Sequence, residues 1–289
     1  MGLSVRRGAL RNYIERSLQE LPALPTVINK ILELTEDPHT SAGDLERVLS
    51  HEPAMVAKLL RVVNSAYYGL AAQVSSISHA VTILGFQQVR NLALSVAAFA
   101  LVRSNQPGLV KLQRSFWRHS FGVGMAAPEL AKSKGATLEE RDLAQVGGLL
   151  HDLGALFLFS NFSEAYREAV DKASKDNLSL TASEMQQLGI THDEVGGMIA
   201  RIWKFPEPLC AIVESHHDWS QAENNIPMAA VQCANQLTIQ AGFGLFPTPQ
   251  QPESAEMIAW AGFDEAAHSE FLTWIAARVE GAEGVFESL

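Results

Sequence analysis

Five of the nine histidines fall between positions 119 and 217, and their helical phase is informative. Leu109, Leu112, Phe116, His119 and Val123 share one face of a helix, so His119 points where the apolar side chains point. Leu143, Val146, Gly147 and Leu150 form a second stripe, with His151-Asp152 at its C-terminal end. His192 opens a helix whose inner face is Val195, Met198, Ile199 and Ile202. Leu209, Ile212 and Val213 lead at the same spacing to His216, with His217 beside it. Met228, Val231, Asn235 and Thr238 put an amide on the inward face of the next helix.

One histidine on an apolar face is more often a hydrogen-bonded core residue than a ligand. Several helices that each send a polar group into the same interior present a different problem. Burying these imidazoles and a carboxylate is costly unless they pair or bind a cation. Neutral imidazole nitrogen and carboxylate oxygen are the donors that hold Fe, Mn, Zn or Ni. A shared metal site is therefore the expectation, and a polar core satisfied wholly by protein is the competing one. His39, His51, His79 and His268 fall in loops, at helix ends or on polar faces, and are expected to be structural or exposed.

The elements that must carry these residues read as helices throughout, so the fold class is all-α. Ser41 with Asp44, Thr137 with Glu140, Thr181 with Glu184, and Thr191 with Glu194 have the spacing of capping boxes. Pro53 suits a first helical turn, and Gly85 stops the short helix that precedes a very apolar one over Val89 to Val102. Asn64 and Gly69 bracket a turn-rich stretch around Tyr67 and Tyr68. Asn105-Gln106-Pro107-Gly108 divides the chain into an N-terminal helical lobe, 1–104, and a second lobe, 105–246, that holds the histidines. A Pro/Gln segment and C-terminal helices occupy 247–289, where Phe271, Trp274, Ile275 and Val279 predict a helix docked on the domain or on a second copy.

Composition limits the partners. With 22 basic against 32 acidic side chains, and a formal charge of −10, non-specific nucleic-acid binding is not expected. Arg6, Arg7, Arg11 and Arg16 read as a solvated helix face. Apolar stretches such as Leu92 to Val102 are too short to span a bilayer, no apolar run follows Arg6-Arg7, and two cysteines make no disulfide framework. No membrane association and a cytoplasmic address are the expectations.

The order His119, His151-Asp152, His192, His216-His217 resembles the ligand pattern of the HD superfamily, with Gly148-Leu149-Leu150-His151-Asp152-Leu153-Gly154 around the namesake pair. Leu21-Pro22-Ala23-Leu24-Pro25, Asp37-Pro38, Leu60 to Gly69 and Ala80 to Gly85 resemble the bacterial HDOD domain, and the similarity runs from about Glu15 to Gly242. The resemblance implies a two-lobed helical bundle, an N-terminal lobe beside a modified HD-type lobe, in a signalling or regulatory module. It also implies one or two divalent ions: His119, His151, Asp152 and Asn235 around one, and His192, His216 and His217 with Asp152 bridging around the other.

Departures from the hydrolytic pattern weigh on function. Asn235 stands where HD phosphohydrolases have an Asp ligand, and Ala155 follows Gly154 where cyclic-di-GMP phosphodiesterases of the HD-GYP type have Lys. Asp218-Trp219-Ser220-Gln221 replaces their Gly-Tyr-Pro signature, so hydrolysis of cyclic-di-GMP is not expected. The reading that results is a non-catalytic module, acting on signalling proteins in trans and open to a nucleotide or phosphorylated ligand. The alternative is a metal-dependent phosphohydrolase using a metal-activated hydroxide, with Asp152 essential and Asp218 supporting a ligating histidine.

Overall fold

The computed structural model describes residues 3–21, 26–27, 30–31, 34, 40–65, 68, 70, 72–100, 107–246 and 254–282. Of the sequence features above, Pro22 to Pro25, Asp37-Pro38, His39, Ala66-Tyr67, Gly69, Asn105-Gln106 and the Pro/Gln segment lie outside the described residues. The rest is all-α, with no strand among the described residues.

The N-terminal part of the chain contains α1 (Leu3–Gln19), which packs on the helix His192–Ile202, then α2 (Ala42–Leu49), α3 (Pro53–Val63), α4 (Ile77–Leu84) and α5 (Phe86–Ala100). Ser41 and Asp44 close a reciprocal box at the start of α2, and Pro53 occupies the first turn of α3. Asn64 fixes the turn after α3: its amide donates to Leu60 O and Val74 O, and its oxygen accepts from Val74 N. Leu45, Leu49, Leu59, Val62, Val63 and Ala80 form the lobe's interior.

The second lobe is built on α6 (Pro107–Ser133), α7 (Leu138–Leu150) and α8 (Leu153–Asn161). It continues through α9 (Ser163–Asp176), α10 (Leu180–Gln187), α11 (His192–Ile202), α12 (Glu207–Ser215) and α13 (Ile226–Thr238). A single π-helical turn, Ile239–Phe243, ends α13. Helices α6, α7 and α13 pack on one another at the centre, and α5 joins the lobes by packing on α7. Every side chain of α13 from Pro227 to Thr238 is buried. Thr137 and Glu140 form the expected box at α7, whereas Ser179, not Thr181, caps α10. That leaves Glu184 free of any capping task. Ile202, read as inward, is 43% exposed at the C-terminal end of α11.

Helices α14 (Ser254–Ala261) and α15 (Glu265–Gly281) finish the chain. Ile275 and Val279 are fully buried, and α15 packs on α6 and the π turn, so this helix docks on its own domain. The 24 residues Leu138–Asn161, spanning α7 and α8, are long and apolar enough to cross a membrane, contrary to the expectation that every apolar stretch is too short. Their most apolar 18-residue window is 89% buried within the fold, and His151-Asp152 lies at the centre of the run.

Candidate metal centre

Two close approaches of backbone bring the histidines together. A Cβ on Gly148 would stand 2.9 Å from backbone atoms of Gly124, so α6 and α7 touch where neither has a side chain. That contact lies five residues after His119 and three before His151, and it sets both imidazoles on one side of the helix pair. A Cβ on Gly154 would fall 1.9 Å from His192 O and 2.5 Å from Gly196 N. Glycine therefore lets the first turn of α8 lie directly on α11, beside the turn that holds His151 and Asp152. Val213 at the end of α12 then packs over Gly196 and delivers His216-His217 to the same point.

Asp152 occupies the centre and divides its carboxylate. Oδ2 lies 3.4 Å from His119 Nε2 and 3.3 Å from His151 Nε2. Oδ1 lies 3.4 Å from both His192 Nε2 and His216 Nε2. His192 Nε2 stands 3.3 Å from His216 Nε2 and 2.9 Å from His217 Nε2. His119, His151, His192 and His216 are at most 2% exposed, Asp152 is 6% exposed, and His217 is half-buried.

The far side of each ring decides what the near side can do. His119 Nδ1 meets Phe243 O at 2.9 Å, His151 Nδ1 meets Gly148 O at 2.8 Å, and His216 Nδ1 meets Val213 O at 2.8 Å. A carbonyl oxygen only accepts, so these three Nδ1 atoms carry the proton and donate it. The Nε2 atoms of the neutral rings are then lone-pair donors facing the cluster. His119 Nε2 and His151 Nε2 are 3.2 Å apart, two lone pairs pointed at one another. Burial pushes His151 down to about 4, only partly offset by Asp152, so this ring does not resolve the clash by protonating near neutral pH. A divalent cation would resolve it, and the donor set suits a borderline transition ion.

Charge elsewhere in the cluster follows from its neighbours. Burial works against ionisation of Asp152, but His151, His119 and His192 outweigh it and hold the carboxyl well below its ordinary range. Burial, with His216 and His192 alongside, pushes His217 well below the usual imidazole value. Burial also opposes a charge on His192, yet Glu184 and Asp152 outweigh it and hold this ring well above that value.

Of the seven residues expected as ligands, the structure brings six into this cluster: His119, His151, Asp152, His192, His216 and His217. Asn235 lies on α13, which packs on both α6 and α7; it is 3% exposed, and its Oδ1 has no hydrogen-bond partner. An orphaned, buried amide oxygen is itself costly, and a cation would satisfy it. His51 and His79 are exposed, and His268 pairs with Gln240 at 2.9 Å, away from the cluster.

Two support roles differ from expectation. Asp218 does not back a histidine: its Oδ1 accepts from Ser220 N at 3.1 Å and Ser220 Oγ at 2.6 Å, opening a short 3₁₀ turn. The residue that does is Glu184, fully buried on α10. Its carboxylate accepts from His192 Nδ1 at 2.7 and 2.9 Å and from His192 N at 2.9 Å. Besides the capping spacing from Thr181, the sequence carries a second signal: Glu184 falls midway between Leu180 and Leu188 at four-residue intervals, on an apolar stripe.

A cleft of about 420 Å³ adjoins the cluster, lined by His217, Asp218, Trp219, Ser220, Glu223 and Glu256. Among the described residues its lining holds three carboxylates and no Lys or Arg.

The HDOD domain family model matches residues 21–219. An HDOD domain protein of unknown function from Geobacter sulfurreducens has a TM-score of 0.76 at 22% identity, covering 100% of this chain and 99% of its own. A protein from Shewanella amazonensis SB2B with a provisional phosphohydrolase designation has a TM-score of 0.74 at 24% identity, covering 94% and 97%. One from Marinobacter aquaeolei VT8, provisionally designated a signal transduction protein, has a TM-score of 0.75 at 23% identity, covering 94% and 61%. At these identities the likeness concerns the fold. An uncharacterized protein of Treponema pallidum (strain Nichols) is 27% identical over 238 residues, and this chain spans 45% of its length.

Proposed function

This chain belongs to the HDOD domain family, and we propose on that premise that it is a non-catalytic regulatory module of bacterial signalling whose His/Asp cluster holds a divalent metal. Fe, Mn, Zn and Ni all match the donors, and up to two ions have ligands. His119, His151, Asp152 and Asn235 would hold one, and His192, His216, His217 and Asp152 the other. When bound, such an ion supplies Lewis acidity and fixes the helices that ligate it.

The observation that carries the non-catalytic reading is the character of the approach. Six of the seven proposed ligands are buried to 6% exposure or less, and the adjoining cleft presents Asp218, Glu223 and Glu256. A phosphate ester would meet three carboxylates and no cation there, which disfavours anionic substrates. Neutral Asn235 and Ala155 where hydrolases place Asp and Lys weigh the same way. The module is proposed to work from the cytoplasm on protein partners in trans, through its helical surfaces.

A second reading keeps one specific support. The split carboxylate of Asp152, one oxygen toward each set of histidines, is the arrangement a two-metal phosphohydrolase needs. One experiment separates the two. Protein purified without chelator or affinity metal is assayed for bound metal and for turnover of an activated phosphodiester with added Mn or Fe, beside His151→Ala/Asp152→Ala. Bound metal that the double variant loses, without metal-dependent turnover, is the expected result. Turnover abolished by Asp152→Ala would establish the hydrolase instead.

A further inference from the structure

The two halves of the cluster share Asp152 but are not equivalent. The half formed by His119 and His151 has two imidazoles, with the uncharged Asn235 assigned to it in the proposed ligand set, whereas the other half has a third imidazole, His217. Behind the rings the difference is sharper. His119, His151 and His216 each donate from Nδ1 to a neutral backbone carbonyl. His192 alone among these four donates to a carboxylate, that of Glu184, at 2.7 Å. A carboxylate behind a ligating imidazole fixes its tautomer and orientation and makes Nε2 a stronger donor. Glu184 also accepts from the backbone N–H of His192, so the first turn of α11 is held along with the ring.

We propose that the two halves fill in order, the His192–His216–His217 half first, and that Glu184 is the positioning residue that sets this order. The inference rests on the metal-binding reading above. Glu184 is 0% exposed, and a carboxylate without solvent is costly unless its partner needs the charge. A purely structural role, tying α10 to α11, would be met as well by a neutral amide at this position. Metal affinity is what distinguishes the two, because only a ligand's basicity depends on the anion behind it.

The test uses the full chain and Co²⁺ alone as probe, followed by visible absorption and calorimetry. The wild type should bind in two resolved steps, the first at least about tenfold tighter. Glu184→Gln should weaken the first step by about 10–100-fold, the usual effect of losing such a partner, and leave the second within twofold. His217→Ala, a change at a half-buried position, should also weaken the first step selectively, and Asn235→Asp should tighten the second. Two equal steps, a first step lost in His119→Ala but kept in His217→Ala, or an unchanged first step in Glu184→Gln would each overturn the proposal. Absence of any Co²⁺ binding would overturn both this ordering and the metal-binding reading. Binding with the wrong order overturns the ordering alone.

Discussion

At the scale of single residues, the cluster is defined by which atoms lack a proton. Three imidazoles give their Nδ1 protons to carbonyls, and the lone pairs left behind converge on Asp152. The same physics acts without any metal where α5 meets α7. Asn91 Nδ2 donates to Gln145 Oε1 at 3.4 Å, Gln145 donates to Gln88 at 2.8 Å, and Arg90 bonds Asn91 Oδ1 at 2.8 and 2.9 Å. Asp142 lies among them, and burial raises its carboxyl above the ordinary value despite the opposing charge of Arg90. An acid with a raised native pKa favours folding while protonated, and that advantage is lost as pH rises from its unfolded value through the native one. Asp142→Asn should therefore be more stable than wild type at pH 7, with the gain shrinking as pH falls toward about 4. Urea unfolding midpoints at the two pH values measure this; equal or lower stability at pH 7 would show that Arg90 outweighs the burial.

At the scale of elements, the histidines meet because helices touch through backbone. Gly154 has the least room of all, with His192 O inside the position a Cβ would take. Gly154→Ala must push α8 from α11, which separates Asp152 from His192. Overpacking of this kind costs about 1–3 kcal/mol, here against rigid backbone rather than a side chain that can turn. Thermal unfolding should show that loss, and the variant should bind Co²⁺ weakly even where it remains folded. Retained affinity would mean that the site does not depend on this contact. Residues Leu138–Asn161 show the same economy, since one apolar run serves as the core and places its sole His-Asp pair at the break between α7 and α8.

At the scale of the whole molecule, a metal would tie α6, the α7–α8 turn, α11, the end of α12 and α13 to one point. A ligand that binds only the folded chain adds stability by mass action, about 2.7 kcal/mol at a hundredfold excess over Kd. For a chain of this size that corresponds to a rise of about 4–5 °C in Tm on adding metal, reversed by chelator. Scanning calorimetry with and without Co²⁺ measures it, and no shift at saturating metal would show that the cluster is satisfied without an ion. Helix α15 belongs to the same body, with Ile275 and Val279 buried against the bundle.

The sequence by itself determined the all-α class, because capping pairs at Ser41 and Thr137 and 3.6-residue stripes are local signals that the tertiary context did not override. It also picked out His119, His151, Asp152, His192 and His216, since each extends an apolar stripe and so must point inward. For Asn235 the stripe Met228, Val231 and Thr238 carries less information, because α13 is buried on every side and no face of it is special. Only the tertiary structure decided which oxygen of Asp152 faces which histidines, and which group stands behind each ring. Glu184 and Asp218 exchanged roles for that reason. Each is an acidic side chain near a capping position, and only the turn that brings α10 back to the start of α11 determines which of them reaches an imidazole. Periodicity specifies the direction of a side chain from its own helix axis; distances between helices are set by what packs between them, down to the hydrogen atoms of Gly148 and Gly154.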